Sequence, residues 1–411
     1  MTTFTVTTLN DFVGADGQRS LREAVTAANA SPDADTIVFA PALEGHTLTL
    51  TQGELLLTQD VTIDGDANND GTRLTISGND ASRILHVTGA ATDVSLRDIT
   101  LTHGDAAGYG GAVLLAAGRL AVTNSTLTDN RADGGGAIAA YHGTALTVRG
   151  TELSDNHGYR YLDPGAGAIW NDGTLVLEDS VLRHNQGLGG GALLNTGTAY
   201  IARTSIVDNT SDTGGGINSS GNLTVESSTI SGNHATGHVD GFPGEYYGSS
   251  GRGGGIYEIG GTLTLRNSTV TGNIATTPAQ FTPSSDGGGI FANSLDIANS
   301  IVAGNVANTF SDIHGAVAVS NGHNLFGSTV AGSIDGDRQN IAAGTIFATI
   351  DPTTGGGQAN ADGVVLLRAN AGNLALGAAD PFAVMPADQL GHARPQPAGS
   401  LADLGAAESS H

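Results

Sequence analysis

The sequence predicts an all-β protein built as a single parallel β-helix. Three observations predict it: a short unit recurs along the chain, each unit contains runs of alternating apolar and polar residues, and glycine or asparagine separates these runs. The chain has 411 residues, of which 62 are glycine, without the three-residue glycine period of collagen. Coils of three short strands, each stacked on the next, account for all three observations.

The recurring unit ends in an asparagine. Seven units end in this way, at Asn130, Asn156, Asn185, Asn209, Asn233, Asn273 and Asn305. An earlier copy ends at Gly104, and the successive spacings are 26, 26, 29, 24, 24, 40 and 32 residues. The base unit therefore has about 24 to 26 residues, and the extra length falls between units.

Each unit has three parts. A glycine-rich step such as "GGAV" leads onto an apolar residue, an alternating strand of the type Leu120-x-Val122 follows, and another strand runs to the asparagine. Alternation over such short runs indicates strands with one buried face. We interpret the recurrent asparagine as structural, because its amide can bond the backbone of the next coil and form a ladder.

The two ends of the chain differ from the repeat. "SLREAVTAANA" (Ser20 to Ala30) begins with an N-cap serine and has Glu23 three residues later, the pattern of a capping box. A short helix there would cover the first coil, whose edge would otherwise be open. We expect a cap and first coils over residues 1–94, regular repeats over 95–311, and C-terminal coils with an irregular closing segment over 312–411.

The composition indicates which kinds of partner and which cellular location to expect. There are 16 Lys and Arg against 40 Asp and Glu, a net charge of −24, so we expect no nucleic-acid partner. The chain has no cysteine, which excludes disulfides and thiolate metal sites. The start "MTTFTVTTLND" lacks the features of a signal peptide, and no apolar run is long enough for membrane insertion. We expect a secreted or cell-surface monomer whose export signal lies outside this chain or is of another kind.

Several stretches resemble one group of bacterial proteins. "FTVTTLND" with "SLREAVTAANA", and the ending "ADLGAAE", resemble secreted and surface proteins with a Ser-Leu-Arg-Glu-Ala-Ile type N-terminal motif. The "GGAI" units are similar to the repeats of polymorphic outer-membrane proteins and autotransporter passengers. Val25 replaces the last residue of the motif, and Arg19 stands where a cysteine often precedes it. The resemblance covers nearly the whole chain and implies a right-handed parallel β-helix, but its members include adhesins and polysaccharide-active enzymes.

Three insertions interrupt the same corner of the repeat, between the asparagine and the glycine-rich step. They span residues 157–167, 234–252 and 274–286. Insertions in a solenoid map to one face, which is often the binding face, so we interpret this corner as a carbohydrate-binding site. The candidates for catalysis there are Tyr159, Arg160, Tyr161, His234, His238 and Arg252.

A column of residues one position past each glycine-rich step runs beside these insertions. Its members are Ala139, Trp170, Leu194, Asn218, Tyr257 and Phe291. Aromatic rings on a flat sheet suit the apolar faces of sugars, and amides can bond hydroxyls; alternatively, the rings seal the loops onto the coil. The predicted substrate-binding residues are Trp170, Asn171, Asn195, Asn218, Tyr246, Tyr247, Tyr257, Glu258 and Phe291.

Two reaction classes fit these side chains. In β-elimination of a uronate polymer, Arg or Ca²⁺ neutralises the carboxylate, a His or Tyr removes the C5 proton, and a Tyr protonates the leaving oxygen; C5 epimerisation shares the first step. Glycoside hydrolysis needs two carboxylates, for which Asp163, Asp240, Glu245 and Glu258 are the candidates.

The richness in Tyr, His and Arg favours a lyase or epimerase acting on an acidic polysaccharide. The net charge of −24 opposes it, because it repels a polyuronate unless Arg or Ca²⁺ intervenes. The third hypothesis is a non-catalytic adhesin or glycan-binding surface module, which can leave an acid, a base and a cation scattered.

The stretch "DANNDGT" matches the first half of a calcium-binding loop. Asp66, Asn68 and Asp70 are the candidate ligands, and Gly71 follows them, but Ser77 stands where such a loop ends in glutamate. A turn rich in Asp and Asn explains the same residues without a metal, and we favour that interpretation. Calcium is the candidate cofactor.

Overall fold

The computed structural model is an all-β, parallel β-helix of about eleven turns. It describes residues 1–159, 165–242, 245–278, 284–332, 334, 336–395 and 400–408, and of residues 240–242 and 245–247 it describes the backbone alone. Its contacts define two compact units, an N-terminal unit of Met1–Val176 and a C-terminal unit of Leu177–His411. The predicted fold class is confirmed, whereas the predicted three-part division of the chain stays a prediction.

The N-terminal unit contains the α-helix and nineteen strands in the part of the chain that the structure describes. These elements are β1 (Thr3–Val6), α1 (Leu21–Asn29), β2 (Asp35–Phe39), β3 (Thr47–Thr49), β4 (Leu55–Leu57), β5 (Val61–Asp64), β6 (Leu74–Ser77), β7 (Leu85–Val87), β8 (Asp93–Arg97), β9 (Ile99–Thr102), β10 (Asp105–Tyr109), β11 (Val113–Leu115), β12 (Arg119–Thr123), β13 (Thr126–Thr128), β14 (Arg131–Gly134), β15 (Ile138–Ala140), β16 (Ala145–Arg149), β17 (Glu152–Ser154), β18 (His157–Gly158) and β19 (Ile169–Asn171).

The strands after β19 continue the same pattern. They are β20 (Thr174–Glu178), β21 (Val181–Arg183), β22 (Leu193–Asn195), β23 (Thr198–Ala202), β24 (Ser205–Val207), β25 (Thr210–Ser211), β26 (Ile217–Ser219), β27 (Asn222–Glu226), β28 (Thr229–Ser231), β29 (His234–Ala235), β30 (His238–Phe242), β31 (Glu245–Ser249), β32 (Ile256–Glu258), β33 (Leu263–Arg266), β34 (Thr269–Thr271), β35 (Ile274–Ala275), β36 (Ile290–Ala292), β37 (Leu295–Ala298), β38 (Ile301–Val302), β39 (Ile313–His314), β40 (Val317–Ser320) and β41 (Leu325–Phe326). Single 3₁₀ turns occur at Pro41–Leu43 and Ala343–Thr345.

Three parallel sheets line each unit, because each coil contributes one strand to each sheet. In the N-terminal unit their orders are β1-β2-β5-β8-β12-β16, β3-β6-β9-β13-β17 and β4-β7-β11-β15-β19. In the C-terminal unit they are β23-β27-β33-β37-β40, β21-β24-β28-β34-β38-β41 and β22-β26-β32-β36-β39. Short corner sheets, β10-β14-β18 and β25-β29-β35, form where the insertions begin, and β30 pairs with β31 as an antiparallel hairpin.

The core is a stack of identical positions from successive coils. Leu120 pairs in register with Leu146, and all alternating inward residues of these two strands are buried. The same register joins Leu223 to Leu263 and Leu295 in the C-terminal unit. Each coil buries its inward apolar residues against the equivalent residues of the neighbouring coils. A single coil has no such neighbours, so the repeat is stable only as a stack.

The predicted asparagine ladder is confirmed. In the C-terminal unit the backbone N–H and the Nδ2 of Asn209 both donate to Oδ1 of Asn233, at 3.0 and 2.9 Å. The same pair of bonds joins Asn233 to Asn273 and Asn273 to Asn305, and Asp312 accepts both bonds at the end. These side chains are buried, so the ladder satisfies polar groups that water does not reach.

A second ladder, which the sequence analysis missed, runs along another corner. The backbone N–H of Thr204 donates to Oγ of Ser228, and that of Ser228 donates to Oγ of Ser268. Oγ of Ser300 accepts the next bond, from the backbone N–H of Ser268, and the backbone N–H of Ser300 donates to Oδ1 of Asn324. Each of these hydroxyls also donates to the backbone carbonyl two residues earlier in the sequence, as Ser228 does to Glu226 at 2.7 Å.

The N-terminal cap is confirmed. Ser20 accepts a bond from Glu23 N–H, and the Glu23 carboxylate accepts from Ser20 N–H, which completes the capping box of α1. The guanidinium of Arg22 pairs with Asp11 at 2.7 Å and donates to the Gly53 carbonyl. α1 contacts β1, β2 and β4, so it covers the first coils.

The sequence analysis predicts that the C-terminal segment closes the end of the solenoid. In the structure the segment also covers part of one outer face of the C-terminal unit. Beyond residue 343 it folds back along the outer face of the sheet β21-β24-β28-β34-β38-β41. Gln389 donates to Ser205 Oγ at 2.7 Å, Gly357 N–H to Thr271 Oγ1 at 2.8 Å, and Ala406 N–H to Thr269 Oγ1 at 3.0 Å. The small hydroxyl residues at these outer positions are buried beneath the segment.

Across the described residues, no helix is both long enough and apolar enough to cross a membrane.

Candidate functional site

A histidine–aspartate pair lies at the base of the 234–252 insertion. His238 begins β30, and its Nδ1 lies 3.1 Å from Oδ2 of Asp212, which follows β25 in the preceding coil. Burial raises the pKa of the Asp212 carboxyl, and the neighbouring His238 opposes that shift. A carboxylate in this position fixes the orientation of the imidazole ring, as a general base requires.

Asn218 ties this pair to the outward column. Its Nδ2 donates to Thr213 Oγ1 at 3.2 Å, and Thr213 directly follows Asp212 in the chain. Gly214, in the glycine-rich step that follows Thr213, donates its N–H to the Arg252 carbonyl at 2.9 Å. This bond fixes the backbone of Arg252, in the next coil, beside that step. The Asp212–His238 pair, Asn218 and Arg252 therefore occupy one corner of the C-terminal unit, hereafter the histidine corner.

The predicted aromatic column is present and extends by one coil. Asn218, Tyr257 and Phe291 occupy equivalent positions, and His314 continues the row in β39. The Tyr257 and Phe291 rings are 5.1 Å apart, and the Phe291 and His314 rings stack at 4.2 Å with 9° between their planes. These rings are half-buried, so one side faces solvent.

Arg252 brings a positive charge to this column. Its guanidinium carbon lies 5.5 Å from the centre of the Phe291 ring, within the range of a cation–π contact. Arg252 is exposed, and its backbone bridges to Asp286 in the next coil. Oδ1 of Asp286 accepts from the Thr309 hydroxyl and lies 3.7 Å from Nδ1 of His314.

His234 has a different environment from His238. It stands between Thr210 and Ile274 in the corner sheet, and its Nε2 lies 2.9 Å from Oγ1 of Thr276. Burial lowers the pKa of His234, which favours the neutral imidazole. The two predicted histidines therefore contact different partners: His238 pairs with the Asp212 carboxylate, and His234 contacts the Thr276 hydroxyl.

The N-terminal unit carries its own group of rings. Trp170 stacks on Tyr109 at 4.8 Å and meets Tyr141 edge-on at 5.5 Å. Trp170 occupies the position equivalent to Ala139, as predicted for the column. Tyr159 stacks on His157 at 5.5 Å and is 54% exposed.

Three predicted substrate-binding residues are wrong because they face the interior. Asn171, Asn195 and Glu258 are each 0% exposed. They follow the outward residue of a three-residue strand, so the alternation turns them inward. Nδ2 of Asn195 donates to Ser219 Oγ at 3.0 Å, and Oε1 of Glu258 accepts from Gly261 N–H at 2.6 Å.

Several other candidates lie outside the described residues. Arg160, Tyr161 and Asp163 belong to the stretch that the structure does not describe. Only the backbone of Asp240, Glu245, Tyr246 and Tyr247 is described, in the hairpin where residue 240 pairs with residue 247.

Sequence reasoning missed Asp212, Asp286 and His314. Asp212 lies next to a glycine-rich step, outside the three insertions to which the sequence analysis assigns the chemistry, and Asp286 is the last residue of the third insertion, for which no candidate was named. His314 follows Ile313 as Phe291 follows Ile290, so the register of the column could have identified it.

The predicted calcium ligands form a carboxylate cluster with one additional member. Glu44, Asp66 and Asp70 each offer an oxygen within 4.8 Å of the others, and Glu44 is separated from them by more than twenty residues of sequence. Nδ2 of Asn68 donates to both Glu44 and Asp70, at 2.8 and 3.1 Å. Burial, with the neighbouring carboxylates Asp70 and Asp66, raises the pKa of Glu44. Backbone N–H groups of residues 70 and 71 also bond Asp66, as in the turn that we favoured, and calcium binding stays a prediction.

Comparison with known proteins agrees with the fold. A family model described as "Right handed beta helix region" matches residues 60–239. No curated protein matches the sequence. Among solved structures, the chain is similar to pectate lyase Pel9A, with a TM-score of 0.42, 14% identity, and coverage of 100% of this chain and 97% of that one. It is also similar to jun a 1, the major allergen from cedar pollen, with a TM-score of 0.27, 11% identity, and coverage of 89% and 84%. Both TM-scores are low, so neither likeness carries an argument about activity.

Proposed function

We propose that this protein acts on an acidic polysaccharide at the histidine corner, by β-elimination or C5 epimerisation. The observation that carries the proposal is the Asp212–His238 pair on the same corner as Arg252 and the aromatic column. A base, a cation and ring-stacking surfaces are the groups that this chemistry needs. We propose a secreted or cell-surface location and a monomer, in keeping with the sequence.

The aromatic column is suited to bind sugar rings. Tyr257 and Phe291 are half-buried in a row of stacked rings, so they keep part of their apolar surface in contact with solvent, and Asn218 precedes Tyr257 in that row. Aromatic faces bind the apolar faces of sugars, and a few polar groups then fix the orientation. Arg252 would pair with a uronate carboxylate, because its planar guanidinium matches a carboxylate in two hydrogen bonds.

His238 is the proposed base. Pairing of the sugar carboxylate with Arg252 makes the C5 proton more acidic, and His238 takes that proton. The electron pair of the C5–H bond then forms the C4–C5 double bond, while the C4–O bond breaks and the leaving oxygen takes a proton from solvent. In epimerisation a proton from solvent is instead delivered to the opposite face of C5, and no bond to C4 breaks.

The role of Arg252 can be tested with matched polymers. We expect Arg252→Gln to weaken binding of a polyuronate about tenfold, because it removes a charge-assisted pair. Binding of the methyl-esterified polymer should change little, since it carries no carboxylate charge. Calorimetric titration of both polymers measures this, with Arg119→Gln, a change of an exposed arginine in the N-terminal unit, as the control. Equal losses on both polymers would contradict a charge-pairing role.

Glycan binding without catalysis is the second candidate. The observation that favours it is the ring group of Tyr109, Tyr141 and Trp170, which offers stacking surfaces in the N-terminal unit apart from the Asp212–His238 pair. The adhesin hypothesis predicts that polymers bind to the protein and are recovered unchanged. The hydrolase hypothesis loses Glu258 and keeps Asp163, Asp240 and Glu245 as untested candidates.

A further inference from the structure

A cavity of about 650 Å³ lies in the C-terminal unit between the last coil and the closing segment. Its walls come from residues 323–324, 336–338, 373–374, 376–379, 381, 401 and 404. This volume falls in the range of small-molecule sites, which are usually apolar with a few placed polar groups. The cavity is independent of the histidine corner and of the function proposed for it.

The apolar part of the lining is made by leucines of the closing segment. Leu404 is buried, whereas Leu374 and Leu401 are 38% and 61% exposed. Leucine side chains that remain open to water beside a cavity gain stability when an apolar ligand covers them. The lining therefore favours a ligand with an aliphatic part.

Arg338 lies in the wall of this cavity. The backbone of Arg338 is fixed, because its N–H donates to the Asn324 carbonyl and its carbonyl accepts from Phe326, both at 2.8 Å. Its guanidinium is exposed and has no hydrogen bond or ion pair to any residue within the described ranges. Arg266 of the same unit, by contrast, pairs with Asp296 at 2.6 Å.

Asp337, which also lines the cavity, bonds groups other than Arg338. Oδ1 of Asp337 accepts two bonds from Asn324, at 3.0 and 2.9 Å. Oδ2 accepts from Ser320 at 2.7 Å and from Ile334 N–H at 3.1 Å. Both oxygens are thus engaged in holding the last coil together, and Arg338 is left to pair with a ligand.

We propose that this cavity binds an aliphatic monocarboxylate, with its chain against the leucines and its carboxylate on Arg338. The planar guanidinium of Arg338 fits a carboxylate in two parallel hydrogen bonds. The lining supplies the apolar walls that such a chain needs.

The test uses the full chain and three probes. Octanoate has both parts, octanol lacks the charge, and acetate lacks the chain. We expect saturation-transfer NMR and calorimetry to show saturable binding of octanoate, with octanol and acetate each weaker by about tenfold or more. Equal binding of octanol and octanoate, or no octanoate binding at millimolar concentration, would overturn the proposal.

Two variants locate the site. Arg338→Gln should weaken octanoate binding about tenfold or more, since it removes the charged partner. Leu401→Asp, at an exposed position of the lining, should abolish binding by placing a like charge beside the carboxylate. Arg119→Gln is the matched control, because it removes an exposed arginine of the N-terminal unit and should leave octanoate binding unchanged. Unchanged binding in Arg338→Gln would overturn the proposal, provided that its unfolding curve matches the parent.

Discussion

Glu258 shows how much a single inward position matters in a solenoid. It stands between Ser219 and Ala292 in the stack and is 0% exposed. Oε1 accepts from Gly261 N–H, but Oε2 has no hydrogen-bond partner in the part of the chain that the structure describes. A buried carboxylate oxygen without a partner costs free energy, because it loses its hydration without replacement.

Glu258→Gln should therefore stabilise the protein. The amide keeps the shape and the bond to Gly261 but removes the charge, and we expect the free energy of unfolding to rise by about 1–3 kcal/mol. Denaturant unfolding followed by circular dichroism measures this. Glu226→Gln is the control, because Glu226 accepts a bond from Tyr200 at 2.7 Å and should gain nothing. A destabilised Glu258→Gln protein would show that the buried carboxylate has a partner of its own.

Asp312 makes stability depend on pH. Burial raises the pKa of its carboxyl, although Asn305 donates two bonds to it. Because the folded-state pKa is raised, the stability that the protonated group contributes is full below its ordinary value of 3.8 and is lost as the pH rises through the folded-state pKa.

We expect Asp312→Asn to raise the free energy of unfolding at pH 7 by about 1 kcal/mol, because the amide oxygen continues the ladder without a charge. The gain should shrink as the pH falls below 3.8, where the aspartate becomes protonated in both states. Unfolding curves at several pH values measure the difference, and a gain that is constant with pH would contradict this account.

The wrong predictions for inward residues such as Asn171 are also explained by the positions of single residues. Ile169, Trp170 and Asn171 form one strand, and a period of two turns the first and third residues to the same face. The buried face of Ile169 thus already implied that Asn171 points inward. Asp212, by contrast, was hidden because its partner His238 lies 26 residues later, on a hairpin whose path the repeat does not determine.

At the scale of elements, the ladders hold the coils in register. Asn209 donates through Nδ2 to Leu182, Val207 and Asn233, at 2.9 to 3.0 Å, and accepts two bonds from Asn185. Such a side chain serves three successive coils. Its recurrence in the sequence predicted its structural role, because a repeated position in a solenoid meets its own copy in the next coil.

Asn209→Ala should destabilise the protein by about 3 kcal/mol or more, since it leaves several buried groups unsatisfied. Asn218→Ala is a matched control on the outer face, where one bond of 3.2 Å is lost, and it should cost about 0.5 kcal/mol or less. Denaturant unfolding of both variants tests the contrast, and similar losses would contradict the ladder's importance.

The corners were less predictable than the strands. Positive φ angles recur at one corner in Asp179, Arg203, Ser227, Asn267 and Asn299, of which only the Asp and Asn positions suit that conformation. The φ of Arg203 is 49°, and its guanidinium pairs with Asp179 of the preceding coil at 2.6 Å. Contacts between coils therefore decide some corner residues, and a single repeat does not show them.

At the scale of the whole molecule, the C-terminal segment was the feature that the sequence described least. The repeat decays after residue 312, so its periodicity says nothing about the later path. A signal did exist in the coils that the segment covers: their outer positions carry Ser205, Thr229, Ser231, Thr269 and Thr271, whereas Glu152 and Arg183 occupy such positions elsewhere. A loss of charged residues on one outer face indicates that the face is covered.

Charge is the other property of the whole molecule. All 16 basic residues are arginines, and 40 acidic residues oppose them. Most of the surface therefore repels a polyuronate, and the binding that we propose depends on local cations such as Arg252. The histidine corner combines that cation with a base, and this combination is the central claim about function.

The most direct test is to compare turnover and binding of a polyuronate by the parent protein and by His238→Asn. We expect the parent to release products that absorb in the ultraviolet as unsaturated uronates, or to exchange the C5 proton with solvent if it is an epimerase. His238→Asn should lower this rate by about 100-fold to 10,000-fold while polymer binding is retained. The control is His184→Asn, an exposed histidine 4.0 Å from Asp208, which should keep full activity. Full activity in His238→Asn, or no product and no exchange with the parent on any polyuronate, would contradict the account.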